Sequence, residues 1–446
     1  MRTELEAGIL ERVKPDLQER TRLRTLIRAL SRKVKDKAQE LGIRYEEVLV
    51  VGSIAKETNL AGTDLDLFVL FPPDTPRQEF EEQGLLLAKS VMDGEERFAE
   101  HPYLHGEVDG VEVDLVPSYK VLDPSKKLSA VDRTPFHTEF VRKNLSEKAR
   151  DEVRLLKQFM KGIDVYGAEA RVEGFSGYLT ELLVIKYGSF REVLEAASGW
   201  ERGLCLSLTG GSLKLDSALV FIDPTDAGRN VAAALSDESF GRFIHAASCY
   251  LAGPSEKFFF PEPVSTLGEK ELRAAMDARG SFFAGLVFTH PDVVDDVFYP
   301  QVNKCVKTVM RDAQSLGFSP IHADYFEDDG KVLVVVELES GQLSTVKKHR
   351  GPWVWHDNSK DFLEKYRESV KVISGPYIQK GRWMVDLRRD EIWYVDTLKG
   401  RVPEMNLGKN INEEVAKGFE VLDPGSLMEH PMELSAFLDH NFPWER

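Results

Sequence analysis

The sequence predicts a multidomain α+β protein. A mixed-sheet first domain is expected over residues 1–141, a helical central domain over 142–262 and an α+β C-terminal region over 263–446. Three observations carry this reading. The chain has 446 residues, and a domain takes about 150, so three is the prior. The hydrophobic period alternates between helix and strand up to residue 140, stays helical over 145–200, then mixes again. The stretch PSEKFFFPEPVS (254–265), rich in proline and aromatics, makes a boundary between the second and third regions.

Each element follows from its own pattern. Leu23, Leu26, Ile27, Leu30 and Val34 lie at helical spacing, so residues 17–41 are expected to form an amphipathic helix with a basic outer face. Tyr45–Val51 reads as a strand, Gly52-Ser53 as a turn, and Asp64–Phe71 as a second strand ended by Pro72-Pro73. Residues 76–93 return to helix. Tyr103–Val108 and Val111–Val116 flank Asp109-Gly110, a hairpin signal. The segments EKARDEVRLLKQFMKGI and GYLTELLVIKYG are helical. In the third region SFFAGLVFTH and KVLVVVELES read as strands around the helix YPQVNKCVKTVMRDAQSLG. There is no internal repeat and no low-complexity tract.

Composition narrows the class. With 42% hydrophobic and 30% charged residues the chain is that of a globular protein. No apolar run approaches the ~20 residues that span a bilayer, so no membrane partner is expected. The start, MRTELEAGILERVKPDLQER, lacks the apolar core of a secretory signal. Cys205, Cys249 and Cys305 are odd in number and far apart, which implies neither a disulfide framework nor a cysteine zinc site and fits the cytoplasm. The net charge of −16 weighs against nucleic acid, but it is uneven. Residues 1–37 hold 11 Lys and Arg against 6 Asp and Glu, and residues 345–390 hold the same numbers. Such stretches either grip phosphate or form solvated faces.

The strongest chemical signal is GSIAKETNLAGTDLDLFVLF, residues 52–71. Asp64 and Asp66 are two apart on a strand, so both carboxylates project from one face. The Gly52-Ser53 turn offers backbone N–H groups and a hydroxyl to phosphate oxygens. Asp114, in VEVDLVPSY, supplies a third carboxylate from a strand expected beside the first. Acids at the start of a core strand need compensation, because uncompensated buried charge is costly. Mg²⁺ prefers such oxygen ligands, and two ions can clamp the attacking hydroxyl and the leaving pyrophosphate of an in-line displacement. Other motifs fall away. Ser53-Ile54-Ala55-Lys56 has the S-x-x-K form without its S-D-N and K-T-G companions, and no Walker loop is present. His101 and His105 lack an H-E-x-x-H frame, with Pro102 between them, and zinc is not expected there. Asp292, Asp295 and Asp296 read as a loop cap.

The G-S, the D-x-D and the later Asp together resemble the polymerase-beta nucleotidyltransferase superfamily. The chain more closely resembles the archaeal class I CCA-adding enzymes (CCA tRNA nucleotidyltransferases). The resemblance runs through AEHPYLHGEVDGVEVDLVPSY (99–119), SAVDRTPFHTEFV (129–141), DEVRLLKQFMK (151–161), YGAEARVEGFSGYLTELL (166–183), DPTDAGRNVAAALS (223–236), VFTHPDVVDDVFYPQV (287–302) and GRWMVDLRR (381–389). It implies that the mixed-sheet domain is a nucleotidyltransferase catalytic domain, with base recognition in the central domain and tRNA binding in the C-terminal region. It further implies stepwise addition of C, C and A to the tRNA 3′ end from CTP and ATP, without a nucleic-acid template and with Mg²⁺ as cofactor. Asp64, Asp66 and Asp114 match the family's metal-binding carboxylates, with Asp114 nearest the attacking 3′-hydroxyl. The first acid is often Glu, so Asp64 keeps the charge but shortens the reach. Ser53 and Lys56 match positions that hold the triphosphate; some relatives carry Arg where Lys56 gives a point charge. Thr134, His137, Lys157 and Tyr166 match further positions of the nucleotide pocket. Arg229 matches the arginine that, with a tRNA phosphate, presents hydrogen bonds to the incoming base, and Asn230 lies beside it.

Structural roles compete for several of these residues: a satisfied histidine for His137, a solvated face for Lys157, packing beside Gly167 for Tyr166, and an ion pair with a local carboxylate such as Asp226 for Arg229. The basic stretch 345–390 interleaves charge with Trp353, Trp355, Tyr366, Tyr377 and Trp383, which either stack on RNA or form core. A homodimer is also compatible with the resemblance. The alternative function is another RNA terminal nucleotidyltransferase, such as a poly(A) polymerase. An RNA-binding protein on a decayed catalytic scaffold would have lost one or more of the three carboxylates, and a phosphohydrolase would release monophosphate.

Overall fold

The computed structural model describes residues 2–98, 101–121, 128–129 and 131–446. The chain divides into two units, Met1–Pro263 with Asn441–Arg446, and Val264–His440.

The first unit opens with α1 (Glu4–Val13), where the Thr3 side chain accepts from Glu6 N and the Glu6 side chain accepts from Thr3 N. The helix α2 (Leu17–Leu41) is capped by Asp16 and stopped by Gly42 at φ +66°. Then come β1 (Glu47–Val50), α3 (Gly52–Ala55), β2 (Leu65–Phe71), α4 (Arg77–Val91), β3 (Glu95–Phe98), β4 (Pro102–Val108) and β5 (Val111–Tyr119). The sheet runs β1-β2-β5-β4-β3, with β2 and β5 parallel and the other pairs antiparallel, a mixed sheet as the sequence predicts. Leu26, Leu30 and Val34 of α2 and Phe80, Leu87 and Val91 of α4 pack on the face made by Leu65, Leu67, Val69, Val113 and Leu115. Strand alternation therefore turns Asp66 and Asp114 to the opposite face, which they share with Phe68, Leu70 and Val116. Two details differ from expectation. Gly52-Ser53 forms the first turn of α3 instead of a free turn, with Gly52 at φ +67°. The strand β3 was not expected, because EERF is polar and exposed and carries no burial pattern.

The helical middle contains α5 (Thr134–Asn144), α6 (Glu147–Gly162), α7 (Gly177–Tyr187), α8 (Phe190–Ala197) and α9 (Asp237–Ala252). It also carries β6 (Leu204–Leu206), β7 (Leu219–Asp223) and β8 (Asp226–Asn230), a small sheet that helical patterning did not predict. The run LVFID is buried at every position, and a short apolar run of this kind has no period that separates strand from helix. One core joins Phe159, Leu182, Phe243 and Tyr250 with Ile9, Leu10 and Val13 of α1 and with Trp444. The last six residues thus belong to this unit and not to the C-terminal region. The physical reason is aromatic: Trp444 stacks on Phe442 at 4.7 Å and on Phe258 at 5.3 Å.

The second unit comprises α10 (Glu269–Arg279), β9 (Phe282–Thr289), α11 (Asp295–Leu316), β10 (Pro320–Asp328), β11 (Lys331–Leu338), β12 (Val346–Trp353), α12 (Ser359–Arg367), β13 (Val372–Gln379), β14 (Arg382–Arg388), α13 (Tyr394–Arg401), α14 (Lys409–Lys417), β15 (Phe419–Leu422) and α15 (Pro431–Leu438). Two antiparallel sheets result, β10-β11-β9-β15 and β12-β14-β13. The aromatics of 345–390 divide. Tyr366 is core and Trp383 packs against it, whereas Trp355 is 70% exposed and stacks on Trp353 at 5.0 Å. Among the described residues no helix is long and apolar enough to cross a membrane.

Candidate active site

The parallel register of β2 and β5 sets Asp66 directly opposite Asp114. Asp64 stands two residues earlier, at the entrance to β2. Burial, reinforced by the negative charges of Asp114 and Asp64, pushes the Asp66 carboxyl up to about 6. Burial and the neighbouring Asp114 raise Asp64 as well. Gly52 closes over this edge: any Cβ there would collide with Asp66 Oδ2, and φ +67° already favours glycine. Asp114 has a partner of its own. Asp109 and Gly110 both have positive φ, as a two-residue hairpin turn requires, and the resulting register places His105 opposite Asp114. His105 Nδ1 lies 2.6 Å from Asp114 Oδ1, and its Nε2 lies 2.8 Å from Glu112 Oε2.

Among the described residues no three His, Cys, Asp or Glu side chains stand close enough to enclose a cation as they are. Asp114 is bonded to His105 instead. The donor set nonetheless fits Mg²⁺. It is made of carboxylate oxygens, and the raised proton affinity of Asp66 marks a local shortage of positive charge.

Beside the carboxylates lies a buried ionic network. Lys56, which follows α3, donates to Glu181 Oε2 at 2.7 Å, and Thr58 Oγ1 donates to Glu181 Oε1 at 2.5 Å. Lys157 Nζ, on α6, sits 3.3 Å from the Thr58 carbonyl and 3.5 Å from Glu181 Oε1. Lys157 is therefore no solvated face residue; it is 2% exposed. Burial raises the Glu181 carboxyl, but Lys56 and Lys157 more than offset this and hold it below the usual range. Tyr166 adjoins the same group, and burial and the Glu181 charge push its hydroxyl up. Ser53 is half-buried in α3.

A third cluster continues from Lys56, whose Nζ is 5.6 Å from the Tyr178 ring. That ring stacks on His137 at 4.0 Å. Thr134 lies one turn before His137 on α5, on the same face. His137 Nε2 donates to Asp223 Oδ2 at 3.0 Å, and Arg229 Nη1 donates to the same oxygen at 2.9 Å. Asp223 Oδ1 accepts from Tyr178 at 3.2 Å and from the Thr225 N–H and hydroxyl at 2.9 and 2.8 Å. Burial raises Asp223, but the His137 bond and charge and the Thr225 bonds hold it well below the usual carboxylate range. Burial lowers the proton affinity of the His137 ring, against the pull of the Asp223 hydrogen bond. The carboxylate nearest Arg229 is thus Asp223, while Asp226 lies 3.6 Å from Arg133. Asn230 is not brought to the pocket by its side chain. Its carboxamide accepts from Phe221 N and Ala232 N and donates to the Leu219 carbonyl, fixing the β7–β8 hairpin that carries Arg229.

Three family models match the chain. "Nucleotidyltransferase domain" matches residues 27–137, "tRNA nucleotidyltransferase, second domain" matches 151–260, and "CCA-adding enzyme, C-terminal domain" matches 279–424. The CCA-adding enzyme of Methanosarcina barkeri is 41% identical over 94% of this chain and 94% of its own length. Those of Methanothermobacter thermautotrophicus and Archaeoglobus fulgidus are 38% and 35% identical, covering 98% and 95% of both chains. The chain belongs to the CCA-adding enzyme family. Among solved structures, a cytoplasmic RNA terminal U-transferase superimposes at a TM-score of 0.46 with 14% identity, covering 59% of this chain and 100% of that one.

Within this CCA-adding enzyme Asp64, Asp66 and Asp114 share one cluster, Lys56, Lys157 and Tyr166 a second, and His137 and Arg229 a third, whereas the Asn230 side chain faces its own hairpin. Residues 99–100 and 130 of the resembling segments lie outside the described residues. Sequence reasoning missed four acids and bases that hold the others. His105 was set aside as a failed zinc motif, and Glu181 sat unnoticed in an apolar helix. Asp223 was passed over for Asp226. Asp132 accepts from Ser118 Oγ, Tyr119 N and Ser129 N and so ties the start of α5 to β5.

Proposed function

We propose that Asp64, Asp66 and Asp114 hold Mg²⁺ while this CCA tRNA nucleotidyltransferase adds CCA to the 3′ end of tRNA. The observation that carries the reading is the register of Asp66 against Asp114, with Asp64 alongside. Mg²⁺ held by these carboxylates would lower the cost of making the 3′-oxygen nucleophilic and would offset charge on the leaving pyrophosphate. The chain's own residues bind and orient. Asp114 faces the attacking 3′-hydroxyl, with His105 fixing its carboxylate. Ser53 and Lys56 grip the triphosphate of CTP or ATP, and Lys157, Tyr166 and Thr134 complete the nucleotide pocket. Arg229 and His137 meet the base, and Asn230 fixes the hairpin that carries Arg229. Catalysis is then positioning and electrostatics, with no covalent protein intermediate.

The division we propose assigns catalysis to 1–141, base recognition to 142–262 and tRNA binding to 263–446 apart from the final six residues. The family models over 27–137, 151–260 and 279–424 support it. In the third region, Arg382 lies 3.9 Å over the Trp353 ring beside exposed Trp355, a surface suited to an RNA backbone with stacking. The free thiols of Cys205, Cys249 and Cys305 suit a cytoplasmic location.

The test is primer extension on tRNA transcripts ending before CCA, after C and after CC, with Mg²⁺ and labelled CTP or ATP. C should enter the first two and A only the third, then stop. Asp64→Ala and Asp66→Ala should abolish incorporation. Runs of A on every end would instead indicate a poly(A)-type activity. tRNA affinity should fall steeply with salt, and a flat dependence would count against phosphate contacts in the third region.

A further inference from the structure

We propose that Asp223 is the positioning residue for base selection, because one buried carboxylate fixes Arg229 and His137 together. The proposal rests on the reading that Arg229 meets the incoming base. Arginine is a long, flexible side chain, and a flexible donor discriminates poorly. Here the guanidinium is anchored at one end by Asp223, leaving its remaining N–H groups for a ligand, and its side chain is 31% exposed. Asp223 is fully buried, at 0% exposure. Its other oxygen is saturated by Tyr178 and Thr225, so the carboxylate cannot swing to follow Arg229.

The same acid sets the histidine. An ionised carboxylate only accepts, so His137 Nε2 carries a proton and points it at Asp223. The stacked Tyr178 ring fixes the imidazole plane. The chain therefore presents a fixed donor on Arg229 beside a fixed imidazole on His137, both registered to Asp223. Cytosine and adenine each carry an exocyclic amino group beside a ring-nitrogen acceptor. Uracil and guanine carry a carbonyl beside a ring N–H, the reverse pattern. A fixed donor aimed at the ring position suits the first pair and meets an N–H in the second. A mobile donor can turn to the carbonyl instead.

The experiment measures kcat/KM for CTP and for UTP on tRNA ending before CCA, in wild type, Asp223→Asn, Arg229→Ala and the double variant. Asp223→Asn should lower the CTP-over-UTP preference about tenfold or more, the scale lost when a hydrogen-bonding site loses its geometry. In the Arg229→Ala background the same change should lower it little further, because both act through one contact. A folding defect alone would lower both rates and leave their ratio unchanged. Undiminished preference in a folded Asp223→Asn protein would overturn the proposal, as would a loss fully additive to that of Arg229→Ala. Undiminished preference in Arg229→Ala would overturn the reading of Arg229 itself. If Asp223→Asn does not fold, Tyr178→Phe keeps the ring and removes one anchor from Asp223. A loss of about threefold there supports the proposal, and full preference overturns it.

Discussion

Asp66 and Glu181 are acids of the same unit, and Lys56 acts on both, yet their protons are held in opposite ways. Asp66 faces two other carboxylates and is pushed up to about 6. Glu181 is the more deeply buried, and it is held below its ordinary value by Lys56 and Lys157. Burial raises both, so the difference lies in the neighbours. Asp223 falls on the Glu181 side, with its oxygens filled by five donors. Where the chain saturates an acid, that acid holds other side chains in place. Where it leaves acids facing one another, it leaves a demand for positive charge, and that demand is where the chemistry belongs.

Neutralising one acid of each kind separates the two behaviours most directly. Asp66→Asn should lower nucleotide incorporation by about a thousandfold or more, if Asp66 is the metal ligand we propose. It should also raise the melting temperature of the metal-free protein, because it removes a repulsive charge. Glu181→Gln should do the reverse to stability, costing about 3–5 kcal/mol by leaving buried lysines without their anion. Chemical denaturation of the two variants decides this. If Glu181→Gln unfolds like wild type while Asp66→Asn is destabilised, the two regimes are wrongly assigned.

A milder probe is pH. For Asp66 the folded value, about 6, lies above the ordinary 3.8. Between those values the folded chain binds the extra proton, so the stability this group contributes is full below the ordinary value. It is lost as pH rises through about 6, and a gap of roughly two pH units between the folded and unfolded values corresponds to about 3 kcal/mol. Glu181 has the opposite sign: its contribution is present above the ordinary carboxylate value and is lost only as pH falls through its lowered one. Melting of metal-free wild type should therefore decline between pH 4 and 6.5 relative to Asp66→Asn, and saturating Mg²⁺ should remove that difference. Parallel curves with and without Mg²⁺ would dissociate Asp66 from the metal.

The sequence made one side of this comparison much easier to read than the other. Asp64, Asp66 and Asp114 were legible because strand alternation puts the first two on one face and because their segments resemble a known family. The mixed sheet and α2 were legible from periodicity. Glu181 and Asp223 were not, because each is a single acid within or at the end of an apolar run, and no local pattern tells which distant cation will meet it. Lys56 reaches Glu181 across 125 positions, and His137 reaches Asp223 across 86. His105 is an intermediate case. A two-residue Asp109-Gly110 turn pairs Val108 with Val111, and counting outward pairs His105 with Asp114. That partner was available from the sequence once the hairpin was accepted, and the zinc-motif reading obscured it.

His105 gives the smallest effect and the finest division between the two regimes. Asp114 is the one acid of its group with a bonded partner of its own, so it stands between the exposed demand of Asp66 and the saturation of Glu181. Groups that orient a metal ligand are worth about 10- to 100-fold, and His105→Ala should lower kcat by the smaller amount with little change in KM for CTP. The two ring nitrogens separate its duties. Asparagine keeps a donor near the place of Nδ1, which meets Asp114, and glutamine keeps one near the place of Nε2, which meets Glu112. If orienting Asp114 is what matters, His105→Asn should recover several-fold of the loss and His105→Gln should not. Recovery by glutamine alone would move the role to Glu112 and leave Asp114 as unsupported as Asp66.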